Sequence, residues 1–223
     1  MIEEKSIFDE VHDNISMFCD DDCVGADLAS AAGVVMSNKM RSICVAAKSV
    51  AEVWPWLEKT KVKILSRFFV NSTINCEFMS DLSEQISASF RDGANGAIVF
   101  VPLCNLPKFA AEISSVRDDL FFNKTLSIGV SIEEIGAFDW TELFGIMNLL
   151  RTDSLTLVFS DDTGNKSDFV GRVYGMLSAS WGNWNGAVNF VLGQNIIRID
   201  QVYRLIQQMK PELISKTEFF IDN

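Results

Sequence analysis

The residues best equipped for chemistry in this sequence are carboxylates, and they come in short runs. Asp20, Asp21 and Asp22 are consecutive, as are Glu133 and Glu134, and Asp161 and Asp162, while Asp222 stands one residue from the end. Gathered at one place, Asp20, Asp21, Glu133 and Asp222 would suit a hard divalent cation such as magnesium, or a cationic ligand or partner segment. Held apart in loops, the same residues would be solvated acids, some of them capping helix N-termini. Lys48 and Lys166 could supply the amine of a Schiff base, which needs a lysine kept deprotonated by burial or by a neighbouring cation. Long exposed lysines ordinarily stay in water. Cys19 and Cys23 lie four residues apart, but a zinc site needs two more soft ligands and the only histidine is His12. Arg67 sits in an otherwise apolar run. It would bind an anion inside the fold, or else pair with an acid or reach an edge.

The rest of the composition narrows the setting. The formal net charge of −11 disfavours nucleic acid, which calls for a basic surface, and gives no help to anionic ligands except where local charge opposes it. With 48% hydrophobic and 22% charged residues, the 223-residue chain can bury a sizeable core. No apolar run reaches the length of a bilayer span; the nearest, Gly96–Pro107, is interrupted by Pro102 and Asn105. The start, Met1–Lys5, has no basic region leading into an apolar stretch, so a signal peptide is not expected. Five scattered cysteines, an odd number, fit reduced thiols and a cytoplasmic protein.

Eight short β-rich runs are spread along the chain to carry these residues. They are Ile15–Phe18, Ser42–Ala47, Val62–Val70, Ala97–Val101, Thr125–Val130, Leu155–Phe159, Ala187–Leu192 and Glu218–Ile221. Several are almost wholly apolar, as strands covered on both faces must be. Helical spacing separates them: Trp140, Phe144, Met147 and Leu150; Phe169, Val173, Met176 and Leu177, with Asn165 or Ser167 as N-cap; and Val202, Leu205, Ile206 and Met209. Strands alternating with helices predict a parallel sheet, because each helix returns the chain to the same end. Eight such units in this length, with no Gly-rich phosphate turn after the first, predict one closed (β/α)8 barrel over residues 1–223 rather than an open sheet.

Several stretches resemble deoxyribose-phosphate aldolases. Ser42–Val50 followed by Val62–Leu65 looks like that family's second and third strands. Asp92–Pro102 resembles its turn into the fourth strand, Val158–Gly164 its sixth strand with a Thr-Gly ending, and Val188–Val191 its seventh. The likeness runs in order from about Asp13 to the end. It implies a barrel whose activity would be reversible aldol cleavage of deoxyribose 5-phosphate to glyceraldehyde 3-phosphate and acetaldehyde, through a lysine Schiff base and without a cofactor.

The positions that the resemblance makes catalytic hold other residues. The nucleophilic lysine falls at Ser160, its cationic neighbour at Val191 and the acid/base aspartate at Ile98 or, if the match slips, an adjacent apolar residue, while a fifth-strand lysine falls at Leu126 or Ser127 unless the register moves to Lys124. The implied ligand-binding residues are Asp161, Asp162, Thr163 and Gly164 after strand six, and Gln194 and Asn195 in the loop after strand seven. The sequence reads Phe219 to Asn223 where the resemblance implies a further loop and helix, so a counterpart of the family's last helix is not expected. Losing a nucleophile together with its partners removes a unit and leaves little specific rate enhancement. The expectation is a barrel kept as a binding or assembly module, with a sugar phosphate or a cationic group as ligand and a homo-oligomer as its state. The alternatives are the family's lyase activity, with Lys48 or Lys166 as substitute nucleophile, and a metal-dependent reaction at the acidic loops. Trp181 and Trp184 would mark either a partner surface or an apolar closure at the end opposite the site. Pro55, between Trp54 and Trp56, is expected only near a helix start. Asn71 and Asn123 begin glycosylation tripeptides that mean nothing without secretion.

Overall fold

The computed structural model describes residues 10–70, 74–136, 138–159 and 169–223. Its strands are β1 (Ile15–Phe18), β2 (Ser42–Ala46), β3 (Lys63–Phe69), β4 (Gly96–Phe100), β5 (Thr125–Ser131), β6 (Ser154–Val158), β7 (Ala187–Val191) and β8 (Phe219–Asp222). Each pairs in parallel with the next, and β8 closes on β1 through Ile15 to Phe18. The fold is a (β/α)8 barrel. Every strand lies within one residue of the run read from the sequence, because a strand covered by helices outside and filled inside can contain little but apolar residues. Among the described residues the helices are α1 (Ala26–Ser37), α2 (Val50–Leu57), α3 (Cys76–Arg91), α4 (Leu106–Ile113), α5 (Arg117–Leu120), α6 (Trp140–Leu149), α7 (Phe169–Ser178) and α8 (Ile196–Met209). None is long and apolar enough to cross a membrane. β8 is followed by Asn223, whose backbone N–H donates to Phe18 O at 3.2 Å.

Side-chain alternation divides the apolar residues into two bodies. Ile43 and Val45 of β2, Ile64 and Phe68 of β3, and Ala97 and Val99 of β4 face outward and pack with the helices. Cys44, Leu65, Ile98, Phe100, Val191 and Phe220 face inward and form a separate cluster inside the barrel. The helices contribute their buried stripes to the outer body. Trp140, Phe144 and Met147 of α6, all four expected residues of α7, and Val202 and Ile206 of α8 are buried. Asparagines start two of these helices. Asn75 Oδ1 accepts from Phe78 N at 2.8 Å, and Asn195 Oδ1 accepts from Arg198 N at 3.1 Å.

Of the two readings of the tryptophan pair, apolar closure holds. Trp184 is buried, donates from Nε1 to Thr152 O at 3.1 Å, and stacks with Trp181 on Phe144 at 5.4 and 4.6 Å. Lys210 Nζ lies 4.0 Å from the Trp181 ring centroid. Pro55 departs from expectation: it is the sixth residue of eight in α2, not near its start. In so short a helix the missing N–H weakens only the last turn. There Trp54 covers Gly93, where a Cβ would come within 2.5 Å of the indole and where φ is +117°.

Candidate functional site

Loops that follow the strands of a closed parallel barrel collect at the C-terminal ends, where barrel active sites lie. At that mouth is a cavity of about 320 Å³ lined by Phe18, Phe69, Phe100, Val158 and Val191, with Gly129, Ser131 and Glu134 on one side. The three phenylalanines end the inward rows of β1, β3 and β4. Phe69 stacks on Phe100 at 5.1 Å, and Phe18 meets Phe100 edge-on at 6.1 Å and Phe220 at 6.3 Å. Gly129 makes this possible: a Cβ there would come 2.2 Å from the Phe100 ring. Beneath the rings, the inward cluster of Cys44, Leu65, Ile98 and Phe220 closes the barrel.

Arg67 is the one charged residue held deep beside this mouth among those described. It is 5% exposed, and its fate is the acid-paired one. Nη2 donates to Asp21 Oδ1 at 2.6 Å, Nη1 donates to Cys19 O, and the guanidinium lies 4.8 Å from the Phe18 centroid. Asp21 is thereby drawn to the arginine. The thiols nearby are poor nucleophiles. Burial pushes Cys44 up to about 12, against the lowering effect of Arg67. Burial, reinforced by Cys23, raises Cys19 as well.

The other residues singled out in the sequence fare differently. Ile98 and Val191 do face the interior together, as the resemblance places them, but inside the apolar cluster. Ser127 also faces inward, bonded to Thr156 Oγ1 at 2.7 Å, while Leu126 faces the helices. Lys124 is at the far end of the barrel, donating to Ala94 O at 2.6 Å. Lys48 is exposed in the turn after β2 and does not line the mouth. Ser160, Asp161, Asp162, Thr163, Gly164 and Lys166 lie outside the described residues, as do Asn165 and Ser167. Gln194 is exposed, and Asn195 is committed to capping α8. Between them and β7, Gly193 adopts φ +60°, with Asp222 Oδ2 3.0 Å from where a Cβ would stand.

The acidic loops among the described residues do share one end, but their side chains turn to separate partners. Glu133 Oε2 accepts from Ser131 Oγ at 2.5 Å, Glu134 Oε2 accepts from Leu103 N at 2.6 Å, and Asp20 is exposed. Among the described residues no three potential metal ligands come together.

Sequence reading passed over two features. The Phe18, Phe69 and Phe100 rings carried a signal, since each ends a strand in the same inward phase. The second is the polar end of the barrel. Ser16, Ser42 and Glu218, at or beside strand starts, and Asn189, midway along β7, are all buried there, where the sequence shows only isolated polar residues among apolar ones.

The sequence matches no family model and no curated protein. Solved structures are similar. A protein from Toxoplasma gondii ME49, provisionally described as a deoxyribose-phosphate aldolase, superposes with a TM-score of 0.72 at 13% identity over 95% of this chain and 89% of its own. One from Coccidioides immitis, described in the same terms, gives 0.71 at 11% identity over 95% and 81%. The tetrameric deoxyribose-phosphate aldolase of Aeropyrum pernix gives 0.70 at 13% identity over 97% and 87%. The chain thus has the deoxyribose-phosphate aldolase type of barrel, a likeness of fold.

Proposed function

We propose that this barrel is a binding module that has exchanged lysine Schiff-base chemistry for an apolar mouth. The observation that carries the reading is the inward cluster. Ile98 and Val191, at positions where the resemblance calls for an aspartate and a lysine, pack with Cys44, Leu65, Phe100 and Phe220, and Ile98 is wholly buried. An acid/base pair cannot work where neither member can take up a proton. No lysine lines the mouth among the described residues, and Arg67 is already engaged by Asp21 and Cys19 O. Among the described residues lining the mouth, a sugar phosphate would meet chiefly phenylalanine rings and few donors to replace its hydration. A small apolar molecule would lose nothing of the kind and would gain ring contacts on several sides.

The deciding experiment is borohydride trapping with deoxyribose 5-phosphate and, separately, acetaldehyde, read by intact mass. The expected result is no adduct under conditions that fully label an active aldolase. An adduct on a single lysine, Lys48 and Lys166 being the candidates, would restore the lyase reading. A homo-oligomer is part of the proposal. The tetrameric assembly of the structurally similar aldolase from Aeropyrum pernix supports this part of the reading. A monomeric mass by light scattering at high protein concentration would count against it. The buried free thiols Cys19, Cys23 and Cys44 fit a reducing compartment such as the cytoplasm.

A further inference from the structure

The end of the barrel opposite the mouth holds a second cavity, of about 260 Å³, and its lining mixes charged and polar residues with apolar ones. Its rim is built from the residues that begin the strands: Arg41 before β2, Lys63 opening β3, Asp153 before β6 and Lys216 before β8. Its walls carry Ser127, Asn189 and Glu218, and Leu65 and Ile98 close its floor. The inward apolar cluster that includes those two residues lies between this well and the mouth.

Charge within the well is unevenly satisfied. Glu218 is 8% exposed and fully engaged: Oε2 accepts from Ser16 Oγ at 2.8 Å and Ser42 Oγ at 2.7 Å, and Oε1 lies 3.3 Å from Arg41 Nε. Asp153 is engaged too, accepting from Leu126 N at 2.9 Å with Arg117 Nη2 at 3.7 Å. Both carboxylates therefore have their own arginine. The two lysines, both exposed, form no ion pair among the described residues. Lys216 Nζ donates only to a neutral carbonyl, Asn185 O, at 3.1 Å, and Lys63 makes no ion pair among the described residues. Asn189, 5% exposed, accepts from Glu218 N through Oδ1 at 3.2 Å, which leaves its amide nitrogen as a donor in the wall. Arg41, Lys63 and Lys216 against Asp153 and Glu218 thus leave the lining of this recess net positive beside fixed donors, in a chain whose net charge is −11. A recess with low-dielectric walls focuses such a field and draws in an ion of opposite charge. At about 30 Å³ per water, the well has room for an ion with part of its hydration.

We propose that this well binds a small doubly charged oxyanion, with Lys63 and Lys216 supplying the charge and Asn189 a hydrogen bond. Inorganic phosphate, a phosphate monoester and a dicarboxylate share that chemistry. The site is independent of whatever the mouth holds.

The test is calorimetric titration of the whole protein at constant ionic strength with inorganic phosphate, glycerol phosphate and succinate, against chloride. The expected result is saturable one-to-one binding of a dianion, weakened roughly tenfold or more by Lys63→Ala or Lys216→Ala and unchanged by Phe69→Ala at the other end. Tighter binding of glycerol phosphate than of phosphate supports the site and assigns an ester. Tighter binding of succinate supports it and assigns a carboxylate. Titrations indistinguishable from chloride, or full affinity in the Lys63→Ala, Lys216→Ala double variant, overturn it. A variant that failed to fold would not spoil the test. In the unaltered protein the bound anion should protect Lys63 and Lys216, and not Lys48, from reductive methylation, and equal modification with and without anion overturns the proposal.

Discussion

At the mouth of this barrel Phe18, Phe69 and Phe100 ring an apolar recess. At the other end Ser16, Ser42, Asn189 and Glu218 form a buried hydrogen-bonded group beneath Arg41, Lys63 and Lys216. Enzymes of this fold place polar, reactive groups at the first end and structural packing at the second. Among the described residues the lining of the mouth is the more apolar of the two, and the strands explain how the ends can differ. Inward positions on a strand recur every two residues, so the start and the finish of one row can carry opposite chemistry without altering the outward row that packs on the helices. Cys44, Leu65, Ile98, Phe100, Val191 and Phe220 between the ends isolate one from the other. Fold and site are separable in this molecule because they are written on alternate residues.

The largest effect is expected in the layer that keeps the ends apart. Phe220 is fully buried, so Phe220→Ala should destabilise the protein by about 3–5 kcal/mol in urea unfolding, whereas Phe69→Ala, at a ring 45% exposed, should cost well under half as much. Equal losses would mean that the mouth is as tightly packed as the interior. Next comes the polar end. Glu218→Ala would leave the Ser16 and Ser42 hydroxyls and Arg41 without their acceptor, at a cost of about 2–3 kcal/mol, and Glu218→Gln should recover part of it. A neutral Glu218→Ala would mean that water serves those hydroxyls as well.

A smaller effect comes from the thiol between the two ends. Burial raises Cys44 from 9.0 to about 12 in the folded protein. Above pH 9 the unfolded chain releases this proton while the folded chain keeps it. The corresponding stability is complete below pH 9 and is lost as pH rises toward 12. Cys44→Ala should flatten that decline in unfolding midpoints measured across this range. An unchanged slope would assign the decline elsewhere, Cys19 being shifted in the same direction. The smallest effect belongs to the acidic loops. Asp20 is exposed and no three potential metal ligands meet among the described residues, so Asp20→Asn should change stability by less than about 0.5 kcal/mol. Magnesium should not move the thermal midpoint, and a saturable rise would reopen a metal reading at the mouth.

The eight strands, their order and the closed barrel were legible in the sequence because a strand buried on both faces admits few residue types. The buried stripes of α6, α7 and α8 were legible for a related reason, since a helix packed on one side repeats its apolar residues at a fixed spacing. Ile98 and Val191 were matched to interior positions by the resemblance alone, and their inward facing is visible only in the structure. The mouth was not legible in this way. Loop acids at one end of a barrel looked like a single cluster, yet Asp21 turned to Arg67, Glu133 to Ser131 and Glu134 to Leu103 N. Each of those partners lies on another loop or strand, or close by at an angle that sequence spacing does not fix. The polar well was less visible still. Ser16, Ser42 and Glu218 are separated by up to 202 residues and meet only because β8 closes on β1. Sequence by itself therefore determined the architecture, which depends on local repetition of residue type. Only tertiary structure decided which charges find partners, because that depends on distances across the closed barrel that no local pattern encodes.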